Sequence, residues 1–230
     1  MNVSAIIPVA GQGKRFGGKT PKQFQKIGDQ SIIEITLRKF VSLDEISHGV
    51  VVVSDSDVDF SRNLFRQIDG FENKFKIVIG GKKRQDSVYN GLKIIPSDTD
   101  IVVVHDGVRP LVSSQLITKS IQTAFATGAC IAAIPVKDTI KRVQNDTVIE
   151  TIPRDHLWQV QTPQSFRYSV LKEAHEKAKE TGFYSTDESS LVEWNGHPVN
   201  IILGEYSNIK ITTTVDLELS LLLYQKVSSK

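Results

Sequence analysis

Four cations, Lys14, Arg15, Lys19 and Lys22, are interleaved with Gly11, Gly13, Gly17 and Gly18 in one loop directly after the apolar run of residues 3–9. Glycine lets the backbone approach a ligand closely and take up positive φ, so several N–H groups can converge on one set of oxygens. With cations among them, such a loop suits phosphate. Two later stretches have the same character. Gly80-Gly81-Lys82-Lys83-Arg84-Gln85-Asp86-Ser87 follows the run 75–79, and His105-Asp106-Gly107-Val108-Arg109-Pro110 follows the run 101–104. In the first, a helix start adds its unpaired N–H groups and dipole, which favour an anion; Asp86 or Ser87 could also serve there as a plain helix cap. In the second, Asp106 could face a ribose hydroxyl or a metal and Arg109 a second phosphate, or the two could pair across the turn.

Three cradles compete for the first loop. A dinucleotide fingerprint needs a third glycine where Phe16 stands. A Walker A pattern, G-x-x-x-x-G-K-[ST], is matched by residues 13–20, and 101–106 could supply its strand and acidic residue; a P-loop kinase or ATPase is therefore a rival. Pro21 and Gly28 oppose it, because a helix should run on from Lys19-Thr20. The third cradle is a nucleotidyltransferase loop, in which the glycines hold a triphosphate and an Arg and a Lys bracket its α-phosphate. A non-catalytic nucleotide-binding module is a further alternative, opposed by Arg15, Lys22 and Lys210 occurring together.

The elements that must position these loops read as an α/β alternation. Apolar strands are expected at 3–9, 50–53, 75–79, 101–104 and 129–135, with helices over 32–40 (capped by Ser31), much of 55–68, 88–95 and 113–127. This predicts an α/β, Rossmann-like, mostly parallel sheet with helices on both faces, and ligands beyond the carboxyl ends of its strands. From 137 to about 153 the rhythm changes to alternating β-branched and polar residues around Gln144-Asn145-Asp146, which predicts a β-hairpin whose Ile140, Val143, Val148 and Ile149 must pack somewhere. A helix is expected from Tyr168 to about Thr181 with His175 on its surface, and Thr186-Asp187-Glu188-Ser189 reads as a helix cap. Strands are expected at 199–203 and 209–211, then a last helix packing through Leu217, Leu221 and Leu222.

Ala10-Gly11-Gln12-Gly13-Lys14-Arg15 with Pro21-Lys22-Gln23-Phe24, then 105–110, the stretch Trp158 to Phe166, Thr186-Asp187-Glu188 and Asn208-Ile209-Lys210 with Thr212 resemble, in order, the motifs of the 2-C-methyl-D-erythritol 4-phosphate cytidylyltransferases. Gly107 and Val108 replace two alanines of the family's HDAARP motif. The resemblance implies one nucleotidyltransferase domain over 1–230 that transfers CMP from CTP to the sugar-alcohol phosphate. Catalytic roles would fall to Arg15, Lys22, Arg154 and Lys210, with Arg15 and Lys22 at the α-phosphate. The nucleotide would be held by Ala10, Gly11, Gln12 and Gly13, by Gly80, Gly81, Arg84 and Ser87, and by Asp106. The acceptor would meet Asp106, Arg109, Thr139, Arg154, Thr186 and Lys210. The resemblance also implies Mg²⁺ bridging the triphosphate without a direct protein ligand, and a homodimer in which the β-arm carries Arg154 to a partner. Ribitol 5-phosphate cytidylyltransferases share several of these segments, and Gly204-Glu205-Tyr206-Ser207-Asn208 suits them; Trp158 and Thr186-Asp187-Glu188 suit the methylerythritol enzymes.

Composition sets the bounds. A length of 230 residues suffices for one large core, and 40% hydrophobic with 23% charged residues is ordinary for a soluble protein. A net charge of +2 gives no footprint for nucleic acid. A single cysteine, Cys130, excludes a disulfide framework and fits a reducing cytoplasm; its apolar neighbours make it a buried hydrophobe. No stretch has the apolar length of a membrane span, and no signal or transit segment is expected before the first strand.

Overall fold

The computed structural model describes residues 1–11, 16 and 20–228. Strands β1 (Val3–Pro8), β4 (Ile46–Val53), β5 (Phe75–Ile79), β6 (Ile101–Val104), β7 (Ala129–Pro135), β10 (Trp158–Arg167) and β11 (Asn200–Leu203) form one sheet in the order β11-β7-β10-β6-β1-β4-β5. Two small antiparallel pairs stand apart from it, β2 (Lys26–Ile27) with β3 (Gln30–Ser31), and β8 (Ile140–Gln144) with β9 (Thr147–Ile152). Pairing is parallel at β1–β4, β1–β6, β4–β5 and β7–β11, and antiparallel where β10 lies between β6 and β7. That antiparallel strand comes from the Trp158 to Phe166 stretch, whose residues gave no strand periodicity.

Period-two alternation divides the sheet's side chains between two cores. Ala5, Ile7, Val51, Val53, Ile101 and Val103 face one core, and Ile6, Val50, Val52, Val102 and Val104 face the other. Both faces are covered, which is why these strands read as continuous apolar runs rather than alternating ones. Helices α1 (Ile32–Val41), α2 (Val58–Phe65), α3 (Phe71–Lys74) and α5 (Ser114–Thr127) supply apolar residues to the first core. Helices α4 (Arg84–Leu92), α6 (Tyr168–Thr181) and α7 (Glu188–Trp194) supply the second. The α1 start is fixed as its sequence predicts: Ser31 accepts from the Glu34 N–H, and Glu34 accepts from the Ser31 N–H at 2.8 Å. Such a reciprocal cap contributes about 1 kcal/mol.

Several details depart from the sequence expectations. Residues 55–68 give a 3₁₀ turn (Asp55–Asp57) and the short α2 rather than one helix. Residues 209–211 are not a strand; a backbone bond from the Ile211 N–H to the Val108 carbonyl ties them to the loop after β6, and Ile211 is buried beside Val108. His175 is 2% exposed, stacked on Tyr89, not a surface residue. In the last helix, α8 (Thr214–Ser228), Leu217 packs inward but Leu221 and Leu222 are exposed. Among the described residues no helix is long and apolar enough to cross a membrane.

The hairpin forms where expected. Asn145 (φ 48°) and Asp146 (φ 59°) both take the left-handed conformation that a two-residue turn with matching twist requires. Its Val143, Val148 and Ile149 are each more than half exposed.

Candidate active site

The chain goes from β1 outward to β4 and β5, then returns to place β6 on the other side of β1. At such a reversal the loops leaving neighbouring strands diverge and open a crevice beyond their carboxyl ends. A cleft of about 180 Å³ lies there. Ala10 and Gly11 line it after β1, Lys22 and Gln23 after the glycine loop, and Gly81 to Arg84 with Ser87 after β5. Asp106 and Val108 line it after β6, and Lys210 after β11. Gly80 lines a second cleft that shares Ala10, Gly11 and Gly81 with the first. The cradle residues Gln12, Gly13, Lys14, Arg15 and Lys19 lie outside the described residues.

The two phosphate-type loops touch. A Cβ on Gly80 would fall 2.5 Å from Ala10 Cβ and 2.8 Å from Ser87 Oγ, so only glycine permits this approach. Asp86 and Ser87 do not cap α4; Lys83 holds that position. Asp86 instead accepts from the Lys83 N–H at 3.0 Å, and Ser87 Oγ accepts from the Gly81 N–H at 3.0 Å. After Thr20 the chain makes only a one-turn 3₁₀ helix, Lys22–Phe24, and the helix that a Walker loop needs is missing.

Asp106 is the electrostatic centre of the cleft. Its carboxylate meets Lys210 Nζ at 2.8 Å, Arg84 Nε at 3.4 Å and Arg109 Nε at 3.5 Å. Burial would raise its pKa, but Arg84, Lys210 and Arg109 outweigh that and hold it well below the usual carboxylate range. The pairing of Asp106 with Arg109 is therefore realised; Asp106 lines the cleft, while Arg109 is buried behind it. Arg84 also binds Glu188 Oε2 at 2.6 Å. Burial opposes the Arg84 charge, yet Glu188 and Asp106 leave its pKa above the ordinary arginine value. Burial raises the Glu188 carboxyl, with Arg84 pulling against it. Arg109 Nη1 donates to the Asn208 carbonyl at 2.8 Å.

Three of the residues expected at the acceptor stand elsewhere in the single chain. Thr139 and Arg154 flank the exposed hairpin, where the Arg154 guanidinium donates to the Lys137 carbonyl. Thr186 is exposed just before Asp187, which caps α7 by accepting from the Ser190 N–H at 3.0 Å. Glu188 and Val108 lie within the family-like motifs, but the pairing of Glu188 with Arg84 and the cation–π contact of Lys83 with Tyr184 (3.2 Å) carry no signal in the sequence, because the partners come from distant segments.

The model of the 2-C-methyl-D-erythritol 4-phosphate cytidylyltransferase family matches residues 3–225. The chain belongs to this family. The enzyme of that name from Alkaliphilus oremlandii is 45% identical over 93% of this chain and 91% of its own length. The crystal structure of 4-diphosphocytidyl-2C-methyl-D-erythritol synthase from Anaerococcus prevotii superposes with a TM-score of 0.85 at 33% identity, covering 97% of this chain and 96% of that one. That of the cytidylyltransferase from Thermus thermophilus gives 0.81 at 30% identity, covering 98% and 100%. As in these family members, the sheet is mixed but mostly parallel with helices around it.

Proposed function

We propose that the Asp106 cluster and the two phosphate-type loops divide the substrates of the family's reaction between them. The reaction itself is the transfer of CMP from CTP to 2-C-methyl-D-erythritol 4-phosphate, giving 4-diphosphocytidyl-2-C-methyl-D-erythritol and pyrophosphate for isoprenoid precursor synthesis. An oxygen of the acceptor's phosphate attacks the α-phosphorus of CTP, and the bond from that phosphorus to the bridging oxygen of the β-phosphate breaks. The attacking oxygen is already an anion, so alignment and charge stabilisation are the protein's tasks, with no general base required.

Ala10 and Gly11 with Gln12 and Gly13, and Gly80, Gly81, Arg84 and Ser87, hold the nucleotide in this reading. Arg15 and Lys22 stabilise charge at the α-phosphate. Asp106 stands between the two substrates, and Lys210 and Arg109 hold the acceptor's phosphate. Asp106 is the only carboxylate among the described residues lining the first cleft, and three cations surround it. Mg²⁺ would accompany CTP as part of the triphosphate substrate and would supply charge neutralisation there.

The observation that carries this division is the Lys210–Asp106 pair, which puts a paired cation in the cleft that residues of both loops line. The Arg154 and Thr139 roles rest on a homodimer joined through the β-arm, favoured by the exposed apolar residues of the hairpin. A reducing cytoplasm suits the lone thiol, Cys130, whose pKa burial pushes up to about 11.

The test is pyrophosphate release from CTP and Mg²⁺, with methylerythritol 4-phosphate and ribitol 5-phosphate offered in parallel. Pyrophosphate with the first alone is expected. Orthophosphate independent of either acceptor would mean cleavage at the γ-phosphate and overturn the reading.

A further inference from the structure

Asp106 and Arg109 sit on a loop that is pinned from behind by groups facing away from substrate. His105 is fully buried, with the Phe40 ring 5.0 Å from its own. Its Nε2 lies 3.2 Å from the Arg109 carbonyl, and its Nδ1 lies 3.1 Å from Thr162 Oγ1. A carbonyl can only accept, so Nε2 carries the hydrogen. Burial favours the neutral ring, whose pKa falls to about 3, with Asp106, Arg109 and Lys39 as its nearest charges. Nδ1 is then a bare acceptor, and the Thr162 hydroxyl must donate to it. The same hydroxyl accepts from the Asp106 N–H at 3.0 Å. Every donor and acceptor in this chain has one consistent direction: Asp106 N–H to Thr162, Thr162 to His105, His105 to the Arg109 carbonyl.

Thr162 also joins a third segment. Its carbonyl accepts from Asn208 Nδ2 at 2.8 Å, and the Asn208 carbonyl accepts from Arg109. Asn208 is fully buried, and Lys210 follows two residues later. The loop after β6, the β10 bend and the segment after β11 are thereby fastened together directly beneath the Asp106–Lys210 pair. By contrast, Gly80, Gly81 and Ser87 are held by bonds among themselves, to the Lys83 carbonyl and to β4.

We infer that His105 and Thr162 form a positioning unit that fixes Asp106, Arg109 and, through Asn208, Lys210 for the acceptor. The inference rests on the roles given to those three residues above. Misplacing reacting groups by about 1 Å can cost on the order of 100-fold in rate, and this unit has little else to replace it. Among the described residues, the Thr162 hydroxyl is the acceptor that holds the Asp106 N–H in place.

Thr162→Val removes the hydroxyl at nearly constant volume, and Thr162→Ser keeps it. Steady-state pyrophosphate release should show kcat/KM for methylerythritol 4-phosphate falling on the order of 100-fold in Thr162→Val, with the KM for CTP close to that of the parent and activity largely restored in Thr162→Ser. In the parent protein, ¹⁵N spectra of the labelled imidazoles should show one ring protonated at Nε2 and bare at Nδ1, with the Nδ1 signal displaced in Thr162→Val. This readout needs no turnover and no variant to establish the tautomer. An active parent with unimpaired Thr162→Val, equal losses toward both substrates with no rescue by serine, or a ring protonated at Nδ1 would each overturn the inference. A parent that releases no pyrophosphate with this acceptor would instead overturn the reading on which it rests.

Discussion

The Arg84 guanidinium lies 2.6 Å from Glu188 Oε2, although 104 residues separate them in the chain. The contact joins the start of α4, which carries the second phosphate-type loop, to the start of α7. It also turns the other side of Arg84 toward Asp106. One arginine thus links a wholly buried carboxylate to the carboxylate at the centre of the cleft.

Removing only one member of this pair should be costly. Arg84→Met leaves Glu188 buried without its cation, and breaking a buried pair in this way destabilises by about 3–5 kcal/mol. Urea unfolding of the variant should show that loss, and adding Glu188→Leu should recover part of it. Equal stability of Arg84→Met and the parent would mean that Glu188 is held neutral and does not need the guanidinium.

Lys210→Ala should separate fold from chemistry. Asp106 retains Arg84 and Arg109, so the melting temperature should change little, while kcat should fall on the order of 100-fold or more if the ammonium stabilises charge at the reacting phosphates. Pyrophosphate release and a thermal melt on the same preparation distinguish the two.

Gly107 stands where the family motif has alanine. A Cβ there would come 2.2 Å from Val9 Cγ1 and 2.8 Å from Ile33 Cδ1. Gly107→Ala should therefore destabilise by about 1–3 kcal/mol through overpacking. Val9→Ala removes the nearest obstructing atom, so the double variant should lose less than the sum of the two single ones. A double-mutant cycle by denaturant titration measures the difference.

Acid should weaken the fold from about pH 6.5 downward. Burial lowers the folded-state pKa of His105 to about 3 and of His175 to about 4, both from 6.5. The unfolded chain then takes up protons that the folded chain refuses, so stability is complete above 6.5 and is lost as the pH falls through that window. Asp106, held low by its three cations, adds to the loss below 3.8, while Glu188, raised by burial, works in the opposite direction just above 4.5. Denaturant midpoints between about pH 7 and about pH 5 should fall, and His175→Phe, which keeps a ring against Tyr89, should flatten the dependence.

If the arm of one subunit serves its partner's cleft, Arg154→Ala and Lys210→Ala should each be inactive alone yet regain activity when refolded together. A mixed dimer would hold one cleft with both cations and one with neither. Failure to regain activity, with mixed dimers shown to form, would place Arg154 at its own chain's cleft or at none.

The amino-acid sequence by itself determined the α/β alternation, the hairpin and the phosphate-handling loops, because these depend on local facts: uninterrupted apolar runs, glycines next to cations, and a turn whose residues tolerate positive φ. Ser31 with Glu34, and Asp187 with Ser190, are legible for the same reason, since each cap lies within three residues of its partner. The tertiary structure alone decided which charges meet. Lys210 is singled out by its motif alone, and only the fold, which brings the segment after β11 beside Asp106, gives it a partner. His175 reads as a surface residue until α4 places Tyr89 against it. The antiparallel β10 and the His105–Thr162 unit were equally illegible, because pairing between segments tens of residues apart leaves no period and no spacing in the chain. Local pattern fixes which elements form and which groups they carry; the packing of both faces of one sheet fixes where those groups converge.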